Sequence, residues 1–352
     1  MLSLIVPCAG KSSRFQGKPK WMLTCPNGNL MIQESIKCLN LENVDNVYIT
    51  FVKEHIDKYF KDYDIYRLFD FLKDKEIVIT ILDNFTDSQT ETVFLTIEKN
   101  NIKEGIFIKD CDNYFNHTIE KGNYICSLEI NEKNKITKLY NKSFIENNNL
   151  NQIINICEKK IISNIICVGG YSFEDSSIFK KIFEDSKNIK LELKEFYISH
   201  LVHYCLLNKL VFYSILVKNY IDWGTPEEWF SYRDSFRTLF IDIDGTIFYN
   251  VGKYSSISWG DKLPIKENLD FLKKLYSNGR TKIILTTARS SDSREKTIAQ
   301  LKKYDVPYDE IIFDLFHTKR FLINDYANTN PYPSAIAINL KRDDNNLEKL
   351  LN

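Results

Sequence analysis

Two apolar runs of strand length, more than two hundred residues apart, each break into a loop suited to phosphorus chemistry. The first, Leu2-Ser3-Leu4-Ile5-Val6-Pro7-Cys8, opens into Ala9-Gly10-Lys11-Ser12-Ser13-Arg14-Phe15 and then Lys18-Pro19-Lys20. The second, Thr238-Leu239-Phe240-Ile241, runs into Asp242-Ile243-Asp244-Gly245-Thr246. An unbroken apolar strand has to be covered on both faces, as in a sheet packed between helices, and such sheets carry ligands beyond the carboxyl ends of their strands. Two such strand ends so far apart point to two sheets and two domains, for which 352 residues is enough chain.

The order of strand-like and helix-like segments agrees. Strands are expected at 2–8, 47–52, 77–82, 105–109, 165–172 and 210–217, with a helix at 29–39 that turns Leu30, Ile32, Ile36 and Leu39 inward, another at 90–99, and an Asn-rich loop at 146–152. A helix at 227–237 leads out of this part. The alternation then repeats, with strands at 238–243, 282–285, 310–314 and 320–324 and helices at 266–277 and 293–303. No Gly/Ser-rich or Pro-rich linker marks the junction, so the boundary is set near 236, giving domains 1–236 and 237–352. The expected fold class is α/β, in two domains, each a mainly parallel sheet flanked by helices.

Composition narrows the partners. Formal net charge is zero, so nothing draws the whole chain to nucleic acid or to an anionic membrane, and phosphate binding has to be local. The eight cysteines, at 8, 25, 38, 111, 126, 157, 167 and 205, form no CxxC pair and read as small buried residues in a reducing cytoplasm. The five histidines, at 55, 117, 200, 203 and 317, show no metal-ligand spacing. The start is too quickly polar for a signal peptide, and no apolar run reaches membrane-span length.

Gly10 lets the backbone come close to a ligand, while Lys11, Arg14, Lys18 and Lys20 concentrate positive charge in one short loop, as triphosphate binding needs. The strand at 105–109 ends at Asp110-Cys111-Asp112, which brings acids to a strand end as well. This arrangement resembles the sugar-phosphate nucleotidyltransferase superfamily, whose signature is an apolar strand, an Ala-Gly loop closing on an arginine, and a Pro-Lys pair. The resemblance continues in order through Ser88-Gln89-Thr90-Glu91-Thr92-Val93, Asp112-Asn113-Tyr114-Phe115, Asn141-Lys142-Ser143, Val168-Gly169-Gly170-Tyr171-Ser172-Phe173, Glu195-Phe196-Tyr197-Ile198-Ser199 and Asp222-Trp223-Gly224-Thr225-Pro226, covering roughly residues 3–230. The chain departs from that pattern in Ser12 for a frequent glycine, in the short Arg14-to-Lys20 spacing and in having no acid before Lys142. The short spacing resembles cytidylyltransferases and favours CTP.

The resemblance implies a nucleotide-diphospho-sugar transferase-like fold and attack by a phosphate oxygen on the α-phosphorus of an NTP. It implies Arg14 and Lys20 as catalytic cations. Ala9, Gly10, Lys11, Ser88, Gln89, Lys142, Gly170 and Glu195 would bind nucleotide or substrate, with Lys142 on the acceptor phosphate. Asp112 and Asp222 would be Mg²⁺ ligands, with Asp110 in reserve.

Asp242-Ile243-Asp244-Gly245-Thr246 resembles the first motif of haloacid dehalogenase-like phosphatases, which implies a Rossmannoid second domain over roughly 238–345. By that resemblance Asp242 attacks phosphorus and Asp244 protonates the leaving oxygen. Thr287, in Ile283-Ile284-Leu285-Thr286-Thr287-Ala288-Arg289, would hydrogen-bond the transferring group. Lys319 would supply the cation, and Asp242, Asp244 and Asp325 would hold Mg²⁺. Asn324 stands before Asp325 where the family has an acid.

The resulting expectation is a bifunctional cytoplasmic enzyme with Mg²⁺ at both sites. It would join a nucleotidyl group to a phosphorylated sugar, polyol or similar metabolite and hydrolyse a phosphate monoester, in the making of capsule or other surface polysaccharide precursors. The expected partners are NTP and that metabolite, with no nucleic acid and no membrane insertion; a homodimer is left open, as are the order of the two reactions and the acceptor. The alternatives are a glycosyltransferase-like first domain, a nucleotidyltransferase with an inactive structural second domain, and a non-enzymatic scaffold.

Overall fold

The structure, a computed structural model, describes residues 1–12, 15, 18–61, 63–132, 138–186, 195–250, 261–325 and 335–351. The chain divides into two compact units, Met1–Arg233 and Asp234–Asn352, beside the boundary expected near 236.

The strands of the first unit are β1 Leu2–Cys8, β2 Leu39–Asn40, β3 Asn46–Val52, β4 Glu76–Leu82, β5 Gly105–Lys109, β6 Asn113–Thr118, β7 Tyr124–Glu129, β8 Ser143–Asn147, β9 Ile153–Glu158, β10 Ile165–Phe173, β11 Tyr213–Leu216 and β12 Lys218–Asp222. Its helices are α1 Met31–Lys37, α2 Lys53–Tyr59, α3 Gln89–Asn100, α4 Ser176–Asp185, α5 Ile198–Leu207 and α6 Pro226–Asp234, the last of which crosses into the second unit by one residue. The main sheet runs β11-β7-β10-β5-β1-β3-β4, with β8 joined to β10 and β9 to β8; a smaller sheet runs β12-β6-β2.

β1 is buried along its whole length because both its faces are covered. Leu4 and Val6 pack with Ile49 and Phe107 on one side, and Ile5 packs with Ile108, Val93 and Ile97 on the other. The expected parallel sheet holds for β4, β3, β1 and β5. Beyond β5 the sheet turns antiparallel at β10, which also pairs antiparallel with β7 and β8. β6, β7, β8 and β9 were not among the expected strands, and the loop expected at 146–152 is the connection between β8 and β9.

In the second unit β13 Arg237–Asp242, β14 Thr281–Thr286 and β15 Glu310–Ile312 form a parallel sheet in that order. Its helices are α7 Lys266–Ser277, α8 Arg294–Lys303 and α9 Leu347–Leu351. Its core gathers Ile241, Ile243, Leu269, Leu272, Ile283, Leu285 and Leu301. The strand expected at 320–324 does not form: Ile323 is 91% exposed and Leu322 55%, so this apolar pair has no sheet to bury it. Among the described residues no helix is long and apolar enough to cross a membrane.

Candidate active site

The parallel pairing of β1 and β5, with Ile5 beside Ile108, delivers the loop after Cys8 and the turn after Lys109 to one sheet edge. The turn is fixed by the Asp110 N–H, which donates to the Gly169 carbonyl at 2.9 Å. β6 leaves this turn and pairs antiparallel with β12, setting Asn113 opposite Asp222. Trp223 N–H then donates to the Asp112 carbonyl at 2.9 Å. Two acids that lie far apart in the chain are thereby brought together. A Cβ added at Gly224 would lie 3.1 Å from Asp222 Oδ1 and 3.6 Å from Asp112 Oδ2, so both carboxylates face the space this glycine leaves.

Each of these aspartates has a lysine partner. Lys20 Nζ donates to Asp112 Oδ2 at 2.5 Å, and Lys142 Nζ donates to Asp222 Oδ2 and, at 3.1 Å, to the Tyr220 hydroxyl. Lys20 opens a short 3-10 turn, Lys20–Met22, whose first N–H donates to Ser12 Oγ at 3.0 Å. Gln89, at the start of α3, donates its side-chain amide to Asp110 Oδ1. Lys20, Gln89, Asp110, Asp112, Lys142 and Asp222 line one cleft of about 200 Å³, together with Glu158, Tyr171, Tyr197, Tyr220 and Glu228.

Burial, with Asp112 beside it, pushes the Asp110 carboxyl up to about 7. Burial pushes Asp112 the same way, but the charge and hydrogen bond of Lys20 outweigh it and the net shift is downward. Burial and the Asp222 charge raise Glu228. The site thus gathers more acid than its surroundings readily keep ionised, which favours a cation. Asp112 and Asp222 offer hard carboxylate oxygens that suit Mg²⁺, and the absence of a side chain at Gly224 keeps both carboxylates uncrowded there; Asp222 Oδ1 also accepts from Gly224 N–H at 3.0 Å. Among the described residues no group of three or more His, Cys, Asp or Glu is placed to hold a metal; Asp112 and Asp222 are the two carboxylates set against Gly224, and Asp110 lines the same cleft.

Other expected residues among those described do not line this cleft. Ala9 is buried, Gly10 and Lys11 are exposed, and Ser88 caps α3 by accepting from Glu91 N–H at 3.1 Å. Gly170 packs in the core, where a Cβ would meet Phe115 at 2.8 Å and Cys126 at 2.9 Å. Glu195 accepts from the Tyr197 hydroxyl, and Arg14 lies outside the described residues. Glu158, Tyr220 and Glu228 were not anticipated, while Tyr171 and Tyr197 stand in the segments expected to reach the site but were not the residues chosen from them. Glu228 carried a signal in the sequence: Thr225-Pro226-Glu227-Glu228 is a capping box with proline at the first helical position, and its reciprocal bonds measure 3.1 and 3.3 Å.

In the second unit Asp242 closes β13, and Asp244 follows in the loop. Arg320 donates to Asp242 Oδ1 at 2.9 Å and to Thr286 Oγ1 at 3.0 Å, so the cation that reaches Asp242 is Arg320; Lys319, the expected one, is exposed. Burial raises the Asp242 carboxyl, and Arg320 opposes this only in part. The buried Arg289 grips Asp244 at both oxygens, 2.8 and 2.7 Å, and also donates to Thr297 and Gln300. Thr287 is buried, and its hydroxyl accepts from Arg289 N–H at 3.0 Å. Asp325 is exposed. Asp244 is thus held at both oxygens and Asp242 at one.

No protein-family model matches the chain, and no curated protein matches it. Solved structures do. The nucleoside-diphosphate-sugar pyrophosphorylase from Vibrio cholerae RC9 is similar over 66% of this chain and 99% of its own, at 20% identity and a TM-score of 0.55. A UDP-glucose pyrophosphorylase complexed with UDP-glucose is similar over 67% of this chain and 98% of its own, at 15% identity and a TM-score of 0.51. At such identities the likeness is one of fold: about two thirds of this chain folds as these two pyrophosphorylases do.

Proposed function

We propose that the first unit transfers a nucleotidyl group from an NTP to a phosphorylated sugar, polyol or similar small metabolite, releasing pyrophosphate. The observation that carries this reading is the pair of lysine–aspartate contacts, Lys20–Asp112 and Lys142–Asp222, gathered around Gly224 in one cleft at strand carboxyl ends. An acceptor phosphate oxygen attacks the α-phosphorus, the bond from that phosphorus to the bridging oxygen of the β-phosphate breaks, and the electron pair leaves with pyrophosphate. Lys20 neutralises charge on the leaving pyrophosphate, and Lys142, steadied by the Tyr220 hydroxyl, holds the acceptor phosphate. Arg14 is assigned with Lys20, and Gln89 to the nucleotide. Asp112 and Asp222, with Asp110 behind them, would hold Mg²⁺, which when bound supplies positive charge along the triphosphate. The short spacing from Arg14 to Lys20 supports CTP as donor.

The second unit is assigned phosphate monoester hydrolysis. Asp242 is the nucleophile, Arg320 steadies it, and Asp244, oriented by Arg289, serves proton transfer. The resemblance of the motifs supports a place for both reactions in the cytoplasmic making of capsule or other surface polysaccharide precursors.

The test is a panel of NTPs against phosphorylated sugars, polyols and amino alcohols, with pyrophosphate and inorganic phosphate assayed separately. CTP-dependent pyrophosphate release with one acceptor class is expected. Transfer of an intact sugar from a nucleotide sugar, with no pyrophosphate released from any NTP, would make the first unit a glycosyltransferase.

A further inference from the structure

Lys109 ends the central strand β5 with its side chain fully buried. A buried ammonium costs several kcal/mol in lost hydration unless its donors are well placed, and an apolar residue would fill the same space without that cost. All of its hydrogen bonds go to a single turn: the Asp110 carbonyl at 2.8 Å, the Asn113 carbonyl at 2.9 Å and Asn113 Oδ1 at 2.5 Å. The ring of Phe115, 4.6 Å away, covers it. No carboxylate is among its hydrogen-bond partners, so it is not one half of a simple ion pair.

The position of the turn gives this contact its consequence. Asp112 lies within it, and Asn113 is the residue that β6 sets opposite Asp222 on β12. The Asp112 carbonyl also accepts from Trp223, next to Asp222. One buried cation therefore holds the segment that carries the first aspartate and, through Asn113, the strand pairing that carries the second. The amide of Asn113 lies close against Gly169, where a Cβ would come within 2.5 Å of Nδ2, so Asn113 cannot shift far in that direction to make up for losing the lysine.

We propose that Lys109 is a positioning residue that, by clamping the Asp110–Asn113 turn, sets Asp112 and Asp222 against each other for divalent-cation and triphosphate binding. This rests on the nucleotidyl-transfer reading, yet it can be tested without turnover. Binding of Mn²⁺ to the full-length protein, alone and with CTP but no acceptor, would be followed by electron paramagnetic resonance, and melting temperatures would be recorded in parallel.

Lys109→Met should weaken Mn²⁺ binding about 10–100-fold, the usual cost of losing an outer-shell partner. Replacing both ends of the side-chain contact, Lys109→Met with Asn113→Leu, should regain part of the lost melting temperature, because the Asn113 side-chain oxygen is then no longer buried without its donor, while Mn²⁺ binding stays weak. If Lys109→Met does not fold, Asn113→Leu alone carries the test, with the same weakening expected. Unchanged Mn²⁺ affinity in either folded single variant would overturn the proposal and leave Lys109 as packing, and so would a wild-type protein with no Mn²⁺ affinity, alone or with CTP. Strong Mn²⁺ binding that depends on Lys109, without pyrophosphate release from any NTP, would instead reject the nucleotidyl-transfer reading and keep the clamp.

Discussion

At the scale of single residues, Asp110 is the group from which a pH dependence of the first site is expected. Its ordinary value is 3.8, and in the folded protein burial and Asp112 lift it to about 7. Between those values the folded chain keeps a proton that the unfolded chain has released, so this carboxyl favours folding at low pH, and that contribution is lost as pH rises through about 7. Asp110→Asn should therefore melt higher than wild type at about pH 8 and close to it at about pH 4, measured by thermal unfolding. A cation drawn to this cluster must displace the same proton, so the half-saturating Mg²⁺ concentration for pyrophosphate release should fall as pH is raised from about 6 to about 8. That dependence should flatten in Asp110→Asn. The two lysines should separate kinetically. Lys20→Ala removes a charge from the leaving group and should lower kcat by about 10²–10³, whereas Lys142→Ala should act chiefly on the KM of the acceptor. Lys20, Lys142, Asp112 and Asp222 could be read from sequence because short motifs name them. Tyr220 and Glu158 could not, since their place depends on strand pairings that no local pattern encodes. The choice between adjacent cations also escaped the sequence: Lys319 and Arg320 are neighbours, and only the fold shows that Arg320 reaches Asp242. Arg320→Ala should accordingly reduce phosphate release from monoesters far more than Lys319→Ala.

At the scale of elements, β10 decides whether the acidic turn can form. Its register breaks between Cys167 and Tyr171, and Gly169 in that break has φ +82°, where a side chain is strained. A Cβ there would lie 2.4 Å from Asp110 Oδ2, far inside contact distance. Gly169→Ala should cost about 1–3 kcal/mol in backbone strain alone, and should lower kcat by displacing the turn. Thermal unfolding and pyrophosphate assays on the same preparation would check both effects. β1, β3 and β5 were legible in the sequence because each is an apolar run that the sheet buries, and β4 because it is an apolar run although it lies half-exposed at the sheet edge; β1 and β4 are followed by helices that the sequence also announced. β6 and β12 were not, because they are short, mixed in polarity and partly exposed, so tertiary pairing outweighs any local preference. The reverse error occurred at 320–324, where Phe321-Leu322-Ile323 reads as a buried strand yet lies exposed. Apolar composition records that a segment would gain from burial; it does not supply the neighbour that buries it.

At the scale of the whole molecule, the two compact units each contain one candidate site built from their own residues. Lys20, Asp112, Lys142 and Asp222 all precede Arg233, and Asp242, Asp244, Arg289 and Arg320 all follow it. This predicts that substitutions in the full-length chain divide cleanly. Asp112→Asn or Asp222→Asn should abolish pyrophosphate release while phosphate release from monoesters stays at the wild-type rate. Asp242→Asn should do the opposite, because an amide cannot take up the phosphoryl group as a carboxylate does. Asp244→Asn should slow phosphate release by about 10²–10⁴, the range for losing a proton-transfer group. Arg289→Met should slow it as well, since it frees the carboxylate that Arg289 now grips at both oxygens. If Asp112→Asn removed both activities from a folded protein, the two reactions would share a site or an obligatory intermediate, and the division at Arg233 would have no functional counterpart. If wild type released no phosphate from a broad panel of monoesters, the arginine-gripped pair Asp242 and Asp244 would be a structural remnant of a phosphatase site, and pyrophosphate release would then be the one reaction this chain performs.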